Sequence, residues 1–147
     1  MIDDFEKYQS IALHSLVNSV PNGINIKKLP FSRSAFLLND STGLYIKHSS
    51  SRLRPWNFGL REMDYLVLRE LEDLANFIWV ALVCGFEGTV VLSIDEVLKV
   101  TDFFSQPEAN CRITIRTKRG GSWAVSGNSD ELSRMKLKTD PWKDLEI

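Results

Sequence analysis

An uninterrupted apolar run of eight residues, Phe77 to Cys84, constrains the fold of this chain more than any other feature. The run has no polar face, and its length favours a β-strand over a helix. A strand of this kind is covered on both sides, as in the buried sheets of α/β proteins. We therefore expect Phe77 to Cys84 to be a central strand that lies between layers of other elements.

The chain has 147 residues, of which 44% are hydrophobic, and this suits one globular domain with a substantial core. We expect a single domain over residues 1–147, with a loose C-terminal tail at 139–147. No stretch resembles a signal peptide, and the apolar run is far shorter than the roughly 20 residues that span a bilayer. A cytoplasmic protein with no membrane partner is therefore expected. Cys84 and Cys111 fit buried, reduced thiols better than a disulfide framework or a zinc site.

The first half of the chain predicts a helix followed by three strands. Apolar residues recur every three or four positions from Asp3 to Val20, which is typical of an amphipathic helix. Alternation over Ile24 to Leu29, before a proline, predicts a short edge strand. Ala35 to Leu38 and Leu44 to Lys47 are then the strands of a hairpin, because the residues between them have the composition of a turn.

The second half predicts a helix, two paired strands, a short helix and a C-terminal hairpin. In order, the segments are a helix over Leu60 to Leu74, the central strand, a strand at Thr89 to Leu92, a helix that opens on a Ser93/Glu96 capping box, strands at Cys111 to Arg116 and Trp123 to Val125, and a last short helix at Ser129 to Lys138. The predicted fold class is α/β (mixed α+β). The three-stranded unit, the central strand and the C-terminal hairpin are expected to form one mixed sheet with helices on its flanks.

Charged residues alternate in blocks along the chain, although the formal net charge is only -1. Residues 21–61 hold seven basic residues against one acid, 62–108 hold ten acids against two basic residues, and 111–138 hold seven basic residues against two acids. The two basic blocks could share one anion-attracting face. Alternatively, the blocks could form salt bridges with one another across the fold.

The segment from Arg33 to Arg61 combines the predicted hairpin with many cations and one tryptophan. Arginines there could contact phosphates while Trp56 stacks on a base. Trp56 could equally fold back into the core. The candidate binding residues are Lys28, Arg33, Lys47, Arg52, Arg54 and Trp56.

No catalytic or metal-binding motif is complete in the sequence. His48 is followed by three serines, but adjacent residues of a strand point to opposite faces, so these residues do not predict a nucleophilic triad. Cysteines and histidines lack the spacing of a zinc site. Carboxylates from distant segments could still hold a divalent ion, although surface charge explains each of them more simply. The conceivable ligands are Asp40, Glu62, Asp64, Glu87 and Asp102.

The order helix, three strands, helix, strand, with a hairpin that ends in Leu44-Tyr45-Ile46-Lys47, resembles the core of the PD-(D/E)XK nuclease-like superfamily. The resemblance covers roughly residues 3–84. In that superfamily two acids on the hairpin strands bind magnesium, and a lysine helps to position the attacking water. Lys47 matches that lysine, and Ile46 matches the apolar residue before it.

Both acids of that superfamily are missing from the matching positions. Tyr45 stands where the second acid belongs, Ser34 or Ala35 stands in place of the first, and Asp40 lies in the turn. Without two carboxylates little is left to hold the metal. The resemblance therefore implies a degenerate member that binds without cutting.

Three functions remain open from the sequence. The first is a non-catalytic domain that binds a nucleic acid or another polyanion and needs no cofactor. The second is a protein interaction module, either an adaptor or an inhibitory partner, that could also form a homodimer. The third is a magnesium-dependent nuclease in which Lys47 acts with an acid that has migrated to the following helix, such as Glu62.

Overall fold

A computed structural model describes residues 2–51, 55–102, 104–105, 111–117, 123–127, 131–134, 141–145 and 147. Its helices are α1 (Asp4–Ser19), α2 (Glu62–Leu74) and α3 (Ile94–Val100). Its strands are β1 (Ile26–Lys28), β2 (Ala35–Leu38), β3 (Thr42–Ser49), β4 (Trp56–Leu60), β5 (Phe77–Cys84), β6 (Gly88–Ser93), β7 (Cys111–Thr117), β8 (Trp123–Ser126) and β9 (Glu131–Arg134). These elements confirm the expected mixed α/β fold.

The first sheet contains five strands in the order β1-β2-β3-β5-β6. β1, β2 and β3 form an antiparallel meander, and the tight turn of its hairpin holds Asn39 and Asp40 at positive φ. β5 runs parallel to β3, with Thr42 opposite Phe77 and Ser49 opposite Cys84. β6 then returns antiparallel beside β5. The apolar run thus lies between two strands, as predicted from its lack of a polar face.

A second, antiparallel sheet has the order β4-β7-β8-β9. The C-terminal hairpin belongs to this sheet, so the prediction of one mixed sheet is wrong. The cause is β4, a strand that the sequence analysis missed. Its residues alternate between buried Trp56, Phe58 and Leu60 and exposed Asn57 and Gly59. Because β4 pairs with β7, it gives the hairpin a separate antiparallel neighbour.

The helix predicted at Ser129 to Lys138 is also wrong where the structure describes that segment. Glu131 to Arg134 form β9, which pairs antiparallel with β8. The remaining residues of the predicted helix lie outside the described residues. Pairing with the main chain of β8 satisfies backbone groups that a free strand edge would leave open, and this outweighs a weak local helix preference.

Two hydrophobic clusters cover the two faces of the first sheet. One fills the space under α1 and includes Ala12 and Val83. The other joins the opposite face to α2, α3 and the second sheet, and it includes Leu68 and Ile113. Alternate residues of β5 point into each cluster, which explains why that strand needs no polar face.

The C-terminal tail is packed where it is described, in contrast to the loose tail expected. Trp142 is 3% exposed, and its Nε1 donates a hydrogen bond to Ser15 Oγ at 2.9 Å. Cys84 and Cys111 are buried free thiols, as predicted. Among the described residues, no helix combines the length and apolarity needed to cross a bilayer.

Candidate functional site

Lys47 lies on the face of β3 that points toward α2, and its charge is paired. Its Nζ donates to Asp64 Oδ1 at 2.7 Å, and only 20% of the lysine side chain is exposed. Tyr45 OH donates to the same oxygen at 2.5 Å. Asp64 Oδ2 accepts a hydrogen bond from the main-chain N–H of Arg61 at 2.8 Å and so caps α2. Both carboxylate oxygens are therefore engaged by groups of the protein itself.

This cluster does not fit the magnesium site of a nuclease. Burial and the Asp64 carboxylate raise the pKa of Tyr45 well above its ordinary value, so the position that the superfamily fills with an acid stays neutral. Glu62, the acid considered for rescue, is exposed, and Asp40 lies in the turn at the opposite end of β3. Within the described ranges no three His, Cys, Asp or Glu side chains converge as a metal site would require. Sequence reasoning had counted Asp64 as a conceivable metal ligand, and the structure uses it as an ion-pair partner and helix cap.

Trp56 is part of the core, which is the second of the two positions that the sequence left open for it, and its ring is not available to stack on a ligand. It is 2% exposed, and its ring stacks on Trp123 at 5.5 Å between centroids. Its Nε1 donates to the carbonyl oxygen of Ser51 at 3.1 Å. Burial is the expected outcome once β4 is a strand, because Trp56 occupies an inward position of the alternation.

The remaining candidate cations divide into two groups. Lys28 is exposed on the edge strand β1. Arg33 is 67% exposed on its side chain, approaches Asp3 at 3.8 Å and places its guanidinium 4.1 Å from the centre of the Phe5 ring. Arg52 and Arg54 lie outside the described residues. The predicted surface therefore keeps Lys28 and Arg33 and loses Trp56 and the free charge of Lys47.

The second basic block supplies two further exposed arginines. Arg112 and Arg116 alternate with buried Cys111, Ile113 and Ile115 on β7, so they point away from the core. In the part of the chain that the structure describes, neither arginine pairs with a carboxylate. Strands β4, β7 and β8 contain no Asp or Glu.

The residues next to these arginines on the outer surface of the second sheet are small or polar. Register places Gly59 beside Arg112 and Asn57 beside Thr114. Thr114 Oγ1 donates to Asn57 Oδ1 at 2.8 Å. We call Asn57, Gly59, Arg112, Thr114 and Arg116 the arginine face. The alternation of arginines with apolar residues on β7 was visible in the sequence, whereas the position of Asn57 and Gly59 beside that strand was not.

Aromatic rings form a row at the end of the first sheet where β3 and β5 finish. Tyr8 stacks on His48 at 4.6 Å and on Phe86 at 5.7 Å, and Phe5 meets His48 edge-on at 6.1 Å. Phe86 is 78% exposed. Burial chiefly, and also the charge of Lys47, lower the pKa of His48, while Asp4 opposes the shift. We call Phe5, Tyr8, His48 and Phe86 the aromatic row. Sequence reasoning missed it, because its members come from three separate segments.

No protein-family model, no curated protein and no solved structure matches this chain significantly. The geometry of its surfaces is therefore what indicates a function.

Proposed function

We propose that this chain binds a nucleic acid or another polyanion without cleaving it, and that the arginine face makes the principal contact. The observation that carries the proposal is that Arg112 and Arg116 are exposed and pair with no carboxylate among the described residues, on a sheet surface whose strands β4, β7 and β8 have no acids. The acid on the remaining strand, Glu131 of β9, lies opposite Ser126. An arginine that already pairs with a carboxylate must give up that partner to bind phosphate. Among the described contacts, Arg112 and Arg116 have no carboxylate partner, so a phosphate that binds them has little to displace.

The shape of the face supports the same proposal. Arg112 and Arg116 are four residues apart on one strand, which places their Cα atoms about 13 Å apart on the same side of the sheet. Beside Arg112, a Cβ added to Gly59 would meet nothing within 4 Å, so the sheet surface there is open. A phosphate backbone can approach the strands closely at that point, and the planar guanidinium groups can each bind a phosphate in a bidentate manner.

Binding without cleavage is supported by the cluster at Lys47. The chain order of α1, three strands, α2 and β5 is the order on which the superfamily resemblance rests, with β4 inserted before α2. Magnesium needs carboxylate oxygens with room for waters and a phosphate. Asp64 offers both of its oxygens to protein donors instead, and Tyr45, which stands where the resemblance expects a second acid, is one of those donors.

The proposal is tested by fluorescence anisotropy with labelled single-stranded and duplex oligonucleotides over a salt series. We expect binding at low salt, and the logarithm of the binding constant should fall linearly with the logarithm of the salt concentration. The double variant Arg112→Gln/Arg116→Gln should lose affinity and reduce the slope by about 0.7 per arginine on single strands and about 0.9 on duplex. Lys143→Gln is the matched control, because the adjacent Trp142 packs against α1 on the other side of the first sheet. No binding to either oligonucleotide at low salt overturns the proposal.

A second candidate function is a protein interaction module, and the outer side of α2 favours it. Met63, Leu66 and Leu74 are 69%, 52% and 49% exposed, and their spacing places them along one side of the helix. Phe77, at the start of β5, is 47% exposed. Sedimentation at increasing concentration distinguishes this candidate, since a homodimer built on these side chains should dissociate in Leu66→Lys. A monomer at every concentration that also captures no partner protein counts against it.

A further inference from the structure

We propose that the aromatic row is a stacking site for the bases of a single-stranded nucleic acid. The inference rests on the proposed function, because it assumes the same class of ligand. It assigns that ligand a second contact, at the end of the first sheet where β3 and β5 finish. Ligands of open α/β sheets commonly bind beyond the carboxyl ends of parallel strands, and β3 and β5 both end there.

The row is a stack with one open end. His48, Tyr8 and Phe86 lie in succession, with interplanar angles of 12° and 27° between neighbours. His48 is half-buried and Tyr8 is buried, whereas Phe86 is 78% exposed. An external planar ring can therefore continue the stack on Phe86. Nucleic acid bases have that shape, and stacking on aromatic side chains tolerates any base.

Phe86 is held in place by a tight turn, so a base meets a preorganised ring. Gly85 has a φ of 54°, and its N–H donates to Ser49 O at 2.9 Å. Glu87 N–H donates to Cys84 O at 3.0 Å and closes the turn. A Cβ on Gly85 would lie 2.8 Å from Ser51 O, so the turn also packs closely against the segment that follows β3. Ligand binding then costs little side-chain or loop ordering.

Charge near the row is mixed, and this determines what the site can contribute. Arg33 lies over Phe5 with its side chain largely exposed, and its contact with Asp3 at 3.8 Å is a weak surface pair. It can therefore contact a phosphate beside a stacked base. Glu87 follows Phe86 in the chain and repels phosphates. The row should thus supply affinity by stacking, while the salt-dependent part of binding comes from the arginine face.

A single strand is the form of ligand that this geometry selects. Bases in a duplex already stack on their neighbours, whereas those of a single strand can turn outward onto a protein ring. The test uses a single-stranded oligonucleotide of about 12 nucleotides, which is within the range of known single-strand site sizes. It carries 2-aminopurine to report stacking, and a duplex of equal length serves for comparison. Phe86→Leu keeps an apolar side chain at the turn and removes the ring.

We expect Phe86→Leu to weaken single-strand binding about tenfold, because base–aromatic stacking contributes on that scale. The salt slope and the duplex affinity should not change, and 2-aminopurine fluorescence should be less quenched. Glu87→Gln should strengthen single-strand binding at low salt. Phe77→Leu is the matched control, since it removes another exposed ring at the opposite end of β5.

The outcomes separate this inference from the proposed function. Equal single-strand affinity in Phe86→Leu and the unchanged protein, with loss in Arg112→Gln/Arg116→Gln, overturns the aromatic site and leaves the arginine face in place. Binding of the duplex without binding of the single strand likewise overturns the aromatic site and leaves the arginine face in place. If Phe86→Leu loses its thermal transition as well as its affinity, the variant is unfolded and Glu87→Gln takes its place as the test. An unchanged single-strand affinity in Glu87→Gln then overturns the inference.

Discussion

The carboxylate of Asp64 joins β3 to the beginning of α2 through three hydrogen bonds. Tyr45 OH and Lys47 Nζ donate to one oxygen, and the N–H of Arg61 donates to the other. A carboxylate with this many donors stabilises the paired lysine, which is otherwise poorly solvated on a largely buried side chain. Lys47, which the sequence suggested as the lysine of a nuclease-like site, is thus part of a structural connection between β3 and α2.

Removing the charge of Asp64 should destabilise the fold. Asp64→Asn leaves the Lys47 ammonium without a counter-ion, and we expect a loss of about 2 kcal/mol, below the value for a fully buried pair because part of the lysine is exposed. Tyr45→Phe removes one hydrogen bond and should cost about 1 kcal/mol. Urea unfolding measures both changes. Equal midpoints for both variants and the unchanged chain would contradict the role assigned to this carboxylate.

His48 should make stability depend on pH below neutrality. Its pKa in the folded chain is lowered from 6.5, first by burial and then by the charge of Lys47. The unfolded chain therefore binds the proton more readily, and stability is lost as pH falls from about 7 through the lowered pKa. His48→Phe keeps a ring in the aromatic row and should flatten the dependence in that window. Thermal unfolding at several pH values checks this, and an unchanged slope in the variant would refute the assignment.

At the scale of elements, local signals were sufficient where the chain caps or turns by itself. α3 begins at the predicted capping box, in which Ser93 Oγ accepts from Glu96 N–H and Glu96 Oε1 accepts from Ser93 N–H. β4 carries a short alternation of apolar and small or polar residues that was missed, and β9 gave no comparable local signal. Each is short, and each exists because a neighbouring strand of the second sheet offers an open edge. Pairing of this kind depends on residues distant in sequence, so single-segment patterns do not reveal it.

Two glycines of the second sheet should respond oppositely to a methyl group. A Cβ on Gly127, just after β8, would lie 2.1 Å from Val100 O at the end of α3, whereas one on Gly59 meets nothing within 4 Å. Gly127→Ala should therefore cost on the order of 1–3 kcal/mol, since the backbone must shift. Gly59→Ala should be neutral or slightly stabilising. Thermal midpoints compare the two, and equal midpoints would show that β8 and α3 do not approach as described.

At the scale of the whole molecule, one hydrophobic cluster connects both sheets and encloses the two thiols. Cys84 is 0% and Cys111 3% exposed. Burial raises the pKa of both, and the Asp102 carboxylate raises that of Cys111 further. A thiol of raised pKa, shielded from solvent, has little reactive thiolate.

Both thiols should therefore resist a thiol reagent until the core opens. With 5,5′-dithiobis(2-nitrobenzoic acid) at neutral pH we expect negligible reaction of the folded chain and release of two equivalents in denaturant. The reaction rate should rise as urea unfolds the chain, and in Gly127→Ala this rise should occur at a lower urea concentration. Rapid modification of either thiol in the absence of denaturant would contradict a core shared by the two sheets.

The sequence by itself determined the elements whose signals are local: the amphipathic α1, the β2–β3 hairpin, the apolar β5 and the capped α3. It also shows Tyr45, and no acid, two positions before Lys47. Tertiary structure decided which side chains remain available. Trp56 entered the core, Asp64 neutralised Lys47, and Arg112 and the ring of Phe86 stayed exposed. The physical reason is that exposure and ion pairing depend on which distant segments pack together, and spacing along one chain does not specify that packing.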